Sequence, residues 1–183
     1  MSLGSFDAFD LEARVGSGAM GAVFRALARR SGARVAIKIL LPELSTNREQ
    51  RSRFLREAKA AAALQHPTIA TVHSGGEVTL DAAAAHRLGL AGAEGVPTLP
   101  YLVLELVSGQ DIDLLMAEGP QPIDRVLKWI GQMLDALEAA HAVGIVHRDL
   151  KPGNVRIDER GQIKLLDFGL AKILQPEAGG RLG

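Results

Sequence analysis

The stretch VHRDLKPGNV, Val146 to Val155, sets a histidine, an arginine, an aspartate, a lysine and an asparagine within eight residues, directly after the apolar segment Ala142 to Val146. A solvated loop accounts for the charges but not for their company. Asp149 and Asn154 lie five apart with Pro152 between them, which bars a regular helix interior, so both side chains reach one point only if a fixed loop holds them. That suits metal or phosphate chemistry. A further aspartate, Asp167, follows the apolar KLL and heads the tripeptide Asp167-Phe168-Gly169. Such a tripeptide alone is no more than a turn. A hairpin over Val155 to Leu166 would, however, return the chain so that Asp167 and Asn154 share one site. Two oxygen ligands with room for water and phosphate suit magnesium, which rarely takes an all-protein cage. Asp149 is then left to act on a substrate hydroxyl.

Two other clusters lie upstream. GSGAMGAV, Gly16 to Val23, carries glycines at its first, third and sixth positions, and glycine lets backbone N–H groups approach phosphate without a Cβ in the way. On its own the pattern is weak, because a dinucleotide-binding loop shares it. A dinucleotide loop runs into a helix, whereas Ala22 to Leu27 reads as a strand, and the absence of Gly-Lys-Ser/Thr excludes a Walker-type loop. Lys38 stands in VAIK between Ile37 and Ile39, which alternate to the other face. For a lysine taken at random, a half-exposed strand face is the plainer account by about four to one. Glu57 reverses those odds: it shares a helix face with Phe54, Ala61 and Leu64, and an inward carboxylate needs a cation. Lys38 is its expected partner.

The elements that must position these groups follow from periodicity. FDLEARVG, GAVFRALAR and ARVAIKILL, between Phe9 and Leu41, read as a β-meander broken at GSGAMG and SGA. Asn47 to Leu64 predicts a helix stopped by Pro67, and Ile123 to Val143 a second, apolar on several sides. Strands are expected at Ile69 to His73, Tyr101 to Val107, Val155 to Ile157 and Ile163 to Leu166. The Ala- and Gly-rich segment between Leu80 and Pro100 is expected as a surface insertion with a helical turn at Leu80 to Leu88. At 183 residues and 47% hydrophobic content the chain suffices for a buried core. Lys plus Arg and Asp plus Glu number 21 each, so no net field favours nucleic acid or an anionic membrane. There is no cysteine, which excludes disulfides and thiolate metal sites. No run reaches the roughly 18 apolar residues of a membrane span, and the expected location is the cytoplasm.

In order and at ordinary spacings, the Gly-rich loop, VAIK, the helix glutamate, HRDLKPGN and DFG resemble the protein-kinase signature set. Lys151 within HRDLKPGN resembles the serine/threonine branch, and GSGAMGAV and DFGLAK resemble its bacterial members. The resemblance implies an α+β, bilobal, protein-kinase-like fold: a small lobe of a five-stranded antiparallel sheet plus one helix, and a mainly helical large lobe. It implies a small lobe at 1–104 with an insertion at about 78–98, a hinge at 105–109, and the start of the large lobe at 110–183. The chain ends 14 residues after Gly169, before any Ala-Pro-Glu motif, so it is expected to be the N-terminal part of a kinase domain, cut off after the DFG motif.

By the same resemblance the cofactors are ATP and magnesium (Mg2+), and the partner is a protein bearing Ser or Thr; dimerisation of the parent kinase is left open. Val15, Gly16, Gly18 and Gly21 would cover the nucleotide, with Val23 and Ala36 against adenine. Lys38, paired with Glu57, would hold the α and β phosphates. Leu104 would gate the adenine pocket, and the backbone of Glu105 and Val107 would bond the base. Asp149 would accept the hydroxyl proton, Lys151 would steady the γ-phosphate, and Asn154 with Asp167 would ligate magnesium. His147 and Phe168 would pack in the core, and Arg148 resembles kinases controlled by activation-loop phosphorylation. Arg156 stands where many kinases place a leucine under adenine, and its aliphatic stem is expected to serve there. Two alternatives remain: an inactive nucleotide-binding or scaffold remnant, and a small-molecule kinase, which usually lacks the lysine of HRDLKPGN.

Overall fold

The computed structural model describes residues 3–18, 21–45, 48–90 and 98–168, except the side chains at 5, 49, 50, 53 and 57. They fall into two compact units, one holding the residues up to Lys59 together with Val72–Leu106, the other Ala60–Thr71 and the residues from Val107 onward.

The first unit is built on an antiparallel sheet. Its strands are β1 (Gly4–Phe6), β2 (Phe9–Gly18), β3 (Gly21–Ala28), β4 (Arg34–Leu40), β5 (Val72–Thr79) and β6 (Thr98–Glu105), in the order β1-β2-β3-β4-β6-β5. The expected meander is present, and the short β1 adds a sixth strand at its edge. Alternation along β4 sends Val35, Ile37 and Ile39 into a buried cluster with Leu11, Phe24, Leu99, Tyr101 and Val103. Ala36 and Lys38 take the opposite face by the same period of two. A short helix α1 (Pro42–Ser45) leads to α2 (Arg48–Ala62), close to the predicted bounds, with Phe54 and Ala58 buried.

Two expectations for this unit need correction. The strand predicted at Ile69 to His73 begins instead at Val72 and runs to Thr79, while Ile69 forms a parallel bridge with Leu165 in the second unit. The sequence of β5, VHSGGEVT, hides the strand because its glycines read as a break. They are there for clearance: a Cβ at Gly75 would lie 2.9 Å from Leu102 Cδ2, and one at Gly76 3.1 Å from the Tyr101 ring, the residues that β6 sets opposite them. The described part of the insertion is likewise no surface appendage. Helix α3 (Ala82–Leu88) is capped by Asp81, whose carboxylate accepts from Ala84 N–H at 2.7 Å, and by Gly89 in the left-handed region at φ 66°. Leu80, Ala85, Leu88 and Leu90 are buried against the sheet in the same cluster as Phe6, Leu11 and Tyr101. The Tyr101 hydroxyl donates to Asp7 Oδ2 at 3.0 Å, which satisfies the one polar atom of that aromatic group.

The second unit holds β7 (Gln110–Asp111), α4 (Ile112–Ala117), α5 (Ile123–Ala142), β8 (Val155–Ile157) and β9 (Ile163–Leu165), with the strands in the order β7-β8-β9. Helix α4 and strand β7 were not foreseen. The inward faces of β8 and β9, Val155, Ile157, Ile163 and Leu165, close on Leu64, Ile69 and the Trp129, Ala136 and Ala140 stripe of α5. Gln132 joins the two layers, its Oε1 accepting from Ile163 N–H at 3.0 Å and its carbonyl accepting from the Thr68 hydroxyl at 3.3 Å. The other side of α5 exposes Ile123, Leu127, Ile130 and Leu134, so the helix carries a second apolar stripe that the described residues leave uncovered.

Candidate active site

The second unit collects the residues of HRDLKPGN through local structure. Pro152 opens a 3-10 turn, Pro152–Asn154, closed by Asn154 N–H donating to the Lys151 carbonyl at 2.9 Å. The turn aims Asn154 back at Asp149. One amide nitrogen, Nδ2 of Asn154, donates both to the Asp149 carbonyl at 2.7 Å and to Asp149 Oδ2 at 3.0 Å. Asn154 is buried, and with its NH2 group so used its amide oxygen is directed elsewhere. Lys151 Nζ donates to the same Asp149 Oδ2 at 2.8 Å. That bond, aided by Asn154 and opposed by partial burial, holds the Asp149 carboxyl below its ordinary pKa. The carboxylate is therefore ionised, oriented at one oxygen, and a weak base until Lys151 moves away.

The hairpin places Asp167. Register pairs Val155 with Leu165 and Ile157 with Ile163, Asp158 Oδ1 accepts from the Arg160 and Gln162 amides in the turn, and Leu166 N–H donates to the Asn154 carbonyl at 2.9 Å. Asp167 is thus the residue directly after the one that pairs with Asn154. Its φ is +58°, and Arg148, just before Asp149, has φ +64°. Two non-glycine residues in the left-handed region, each at an end of the same loop system, are held by their surroundings at a cost of about 1–3 kcal/mol each. His147 supplies part of that hold. It is buried, its Nε2–H donates to the Leu166 carbonyl at 2.8 Å, its Nδ1 accepts from Asp149 N–H at 3.3 Å, and its ring meets Phe168 edge-on at 4.6 Å.

Burial pushes the His147 pKa below its ordinary value of 6.5. In the folded chain the ring stays neutral to a lower pH than in the unfolded chain, so below about pH 6.5 unfolding takes up a proton. This part of the stability is full above that pH and is lost as pH falls toward the folded value. Denaturant midpoints should therefore drop between about pH 7.5 and about pH 5.5, and a His147→Gln variant should show a flatter dependence. An unchanged slope in the variant would assign the effect to another group.

In the first unit, β-register collects a second set on one face. Val23 lies opposite Lys38, Lys38 opposite Leu102, and Ala36 opposite Leu104, while Gly16 faces Val23. Lys38 is buried. Val15 is exposed, and Gly18 pairs with Gly21 where β2 turns into β3. A Cβ at Gly21 would lie 2.3 Å from the Ile39 carbonyl oxygen, so that glycine is fixed by packing against β4. Glu105 ends β6, and Val107 belongs to the second unit. The predicted partner of Lys38, the Glu57 side chain, lies outside the described residues, as do the tip of the Gly-rich loop and everything from Gly169 onward. Sequence reasoning missed one engagement: the guanidinium of Arg156 bonds the carbonyls of Val107 and Gly109. The only available signal was a charged residue where an apolar one is usual.

A protein kinase domain model matches residues 9–179, and the chain belongs to the protein kinase family. It is 39% identical over 165 residues to the serine/threonine-protein kinase PknA of Mycobacterium tuberculosis, covering 90% of this chain and 35% of that protein. A probable serine/threonine-protein kinase of Corynebacterium efficiens is 37% identical over 169 residues, covering 92% and 24%. Among solved structures, the PknI kinase domain of Mycobacterium tuberculosis superposes with a TM-score of 0.72 at 30% identity, covering 93% of this chain and 62% of that one. The chain thus spans about a third or less of these curated relatives and under two thirds of that kinase domain. The family uses ATP and a divalent metal, and acts on protein. No helix among the described residues is long and apolar enough to cross a membrane.

Proposed function

We propose that this chain carries the phosphoryl-transfer site of a serine/threonine protein kinase that uses ATP with magnesium and works in the cytoplasm. The observation that carries the reading is the Asp149 carboxylate, ionised and held by Lys151 and Asn154 on one oxygen. An acceptor hydroxyl bonded to that carboxylate is oriented for attack. As the new bond from its oxygen to the γ-phosphorus forms and the bond to ADP breaks, the hydroxyl proton passes to Asp149. Lys151, an exposed cation on the same carboxylate, suits a transferring phosphate. Lys38, Val23, Ala36 and Leu104, which share a sheet face, suit the triphosphate and base.

The residues fit a magnesium ion. The Asn154 amide oxygen is turned from Asp149, and Asp167 follows the residue that pairs with Asn154. An amide oxygen and a carboxylate, with no cluster of three or more metal-binding side chains among the described residues, match an ion that keeps water and phosphate in its shell. Magnesium, when bound, neutralises charge on the phosphates. Asp167→Asn is expected to weaken magnesium-dependent ATP affinity by about tenfold or more, with affinity in excess chelator unchanged. Titrations with and without magnesium check it, and equal magnesium dependence in the variant would remove Asp167 from the site.

A further inference from the structure

Arg156 projects from β8 on the face opposite the buried Val155 and Ile157, level with Asp111 of β7. Its guanidinium spans the whole segment leading out of Leu106. Nη1 donates to the Val107 carbonyl at 3.2 Å and Nη2 to the Gly109 carbonyl at 2.9 Å. Nε lies 3.0 Å from Asp111 Oδ1, an ionic contact without the alignment of a hydrogen bond. The segment is pressed against β8 as well as tied to it: Gly109 has φ +106°, and a Cβ there would lie 2.0 Å from the Ile157 carbonyl oxygen. Charge-assisted bonds from a rigid planar fork hold a peptide plane more firmly than neutral ones. The orientation of the Val107 carbonyl is therefore set by Arg156.

This matters if Val107 meets the base, and the inference rests on the nucleotide reading given above. Adenine offers along one edge a 6-amino donor, the N1 acceptor and then a bare C2. An extended chain offers along one edge the carbonyl of one residue, then the N–H and carbonyl of the residue two further on. The first two groups match the 6-amino and N1. The third, the Val107 carbonyl, is the acceptor that a 2-amino group would use, and a second donor arriving there meets the cationic N–H of Arg156. We propose that Arg156 is a specificity-determining residue for the nucleotide: by holding the Val107 carbonyl it confines base recognition to one donor and one acceptor and denies any gain to purines carrying a 2-amino group.

The test compares ATP with 2-amino-ATP, the triphosphate of 2,6-diaminopurine riboside, by competition on one preparation of each protein. The ratio of the two affinities cancels any loss of folded material, so a merely structural role leaves it unmoved. In the unmodified chain 2-amino-ATP binds no more tightly than ATP. In Arg156→Leu and Arg156→Met the ratio moves about fivefold toward 2-amino-ATP, as one hydrogen bond allows, and Arg156→Lys, which keeps a cationic donor, stays closer to the unmodified value. An unchanged ratio in both apolar variants, with ATP still bound, overturns the role of Arg156 alone, as does a preference for 2-amino-ATP in the unmodified chain. If neither nucleotide binds any of the proteins, the nucleotide reading falls and this assignment with it.

Discussion

Replacing Asp149 by Asn is expected to lower phosphoryl transfer by about 10²–10⁴-fold, the range for losing a positioned general base. Affinity for ATP should stay within about twofold, since the change removes an interaction with the acceptor and not with the nucleotide. The substitution is nearly isosteric, and its amide oxygen still accepts from Lys151 and Asn154, the two donors now on Asp149 Oδ2. What it loses is the negative charge that pairs with Lys151 and the capacity to take a proton. Single-turnover transfer and nucleotide titration, run side by side on the protein carrying this chain, separate the two effects. Transfer at the unmodified rate would show that the hydroxyl is handled by another group.

The second large effect is on stability. Trp129→Ala should cost about 3–5 kcal/mol, the usual loss for truncating a buried aromatic residue. Trp129 is buried where α5 meets the β8–β9 hairpin. Its Nε1–H donates to the Gly161 carbonyl at 3.2 Å, and the Arg125 guanidinium lies 5.0 Å over its ring. Truncation therefore opens a cavity, strands a carbonyl in the hairpin turn and frees an arginine at once. Against a total of about 5–15 kcal/mol for an ordinary domain, that is a large share. Leu134→Ala, on the uncovered side of the same helix with 60% of its surface exposed, should cost less than about 0.5 kcal/mol. Denaturant unfolding of the two variants measures the contrast, and equal costs would mean that the covered stripe of α5 is not the one described.

What the sequence made legible is what it encodes locally. Asp149, Lys151 and Asn154 sit within six positions around one proline, and the hairpin that follows uses alternation and a turn, so the loop and its relation to Asp167 follow from short-range rules. The meander and both long helices were readable for the same reason. β5 was not, because the glycines that mark a turn in isolation are there to clear Leu102 and Tyr101, whose presence opposite depends on β6 folding alongside. The segment after Thr79 was misjudged on composition: alanines and glycines signal little, and only the sheet face they meet makes Ala85 and Leu88 core residues. Arg156 shows the same limit at the candidate site. The reach of its guanidinium to Val107 and Gly109 depends on the pairing of β7 with β8, which no local pattern announces.

The strand order β4-β6-β5 also fixes when the sheet can close during synthesis. β6 lies between β4 and β5 but is made last, beginning about sixty residues after β4 ends, which is about 3–12 s at a translation rate of about 5–20 residues per second. For that interval the nascent meander presents RVAIKIL as an unpaired edge, seven residues of which six are buried in the finished fold. Such an edge invites pairing with another growing chain. The one charge within its apolar run is Lys38, and a charge there breaks the continuous apolar window that aggregation needs. The lysine assigned to the triphosphate would thus protect the chain on the ribosome before any nucleotide arrives.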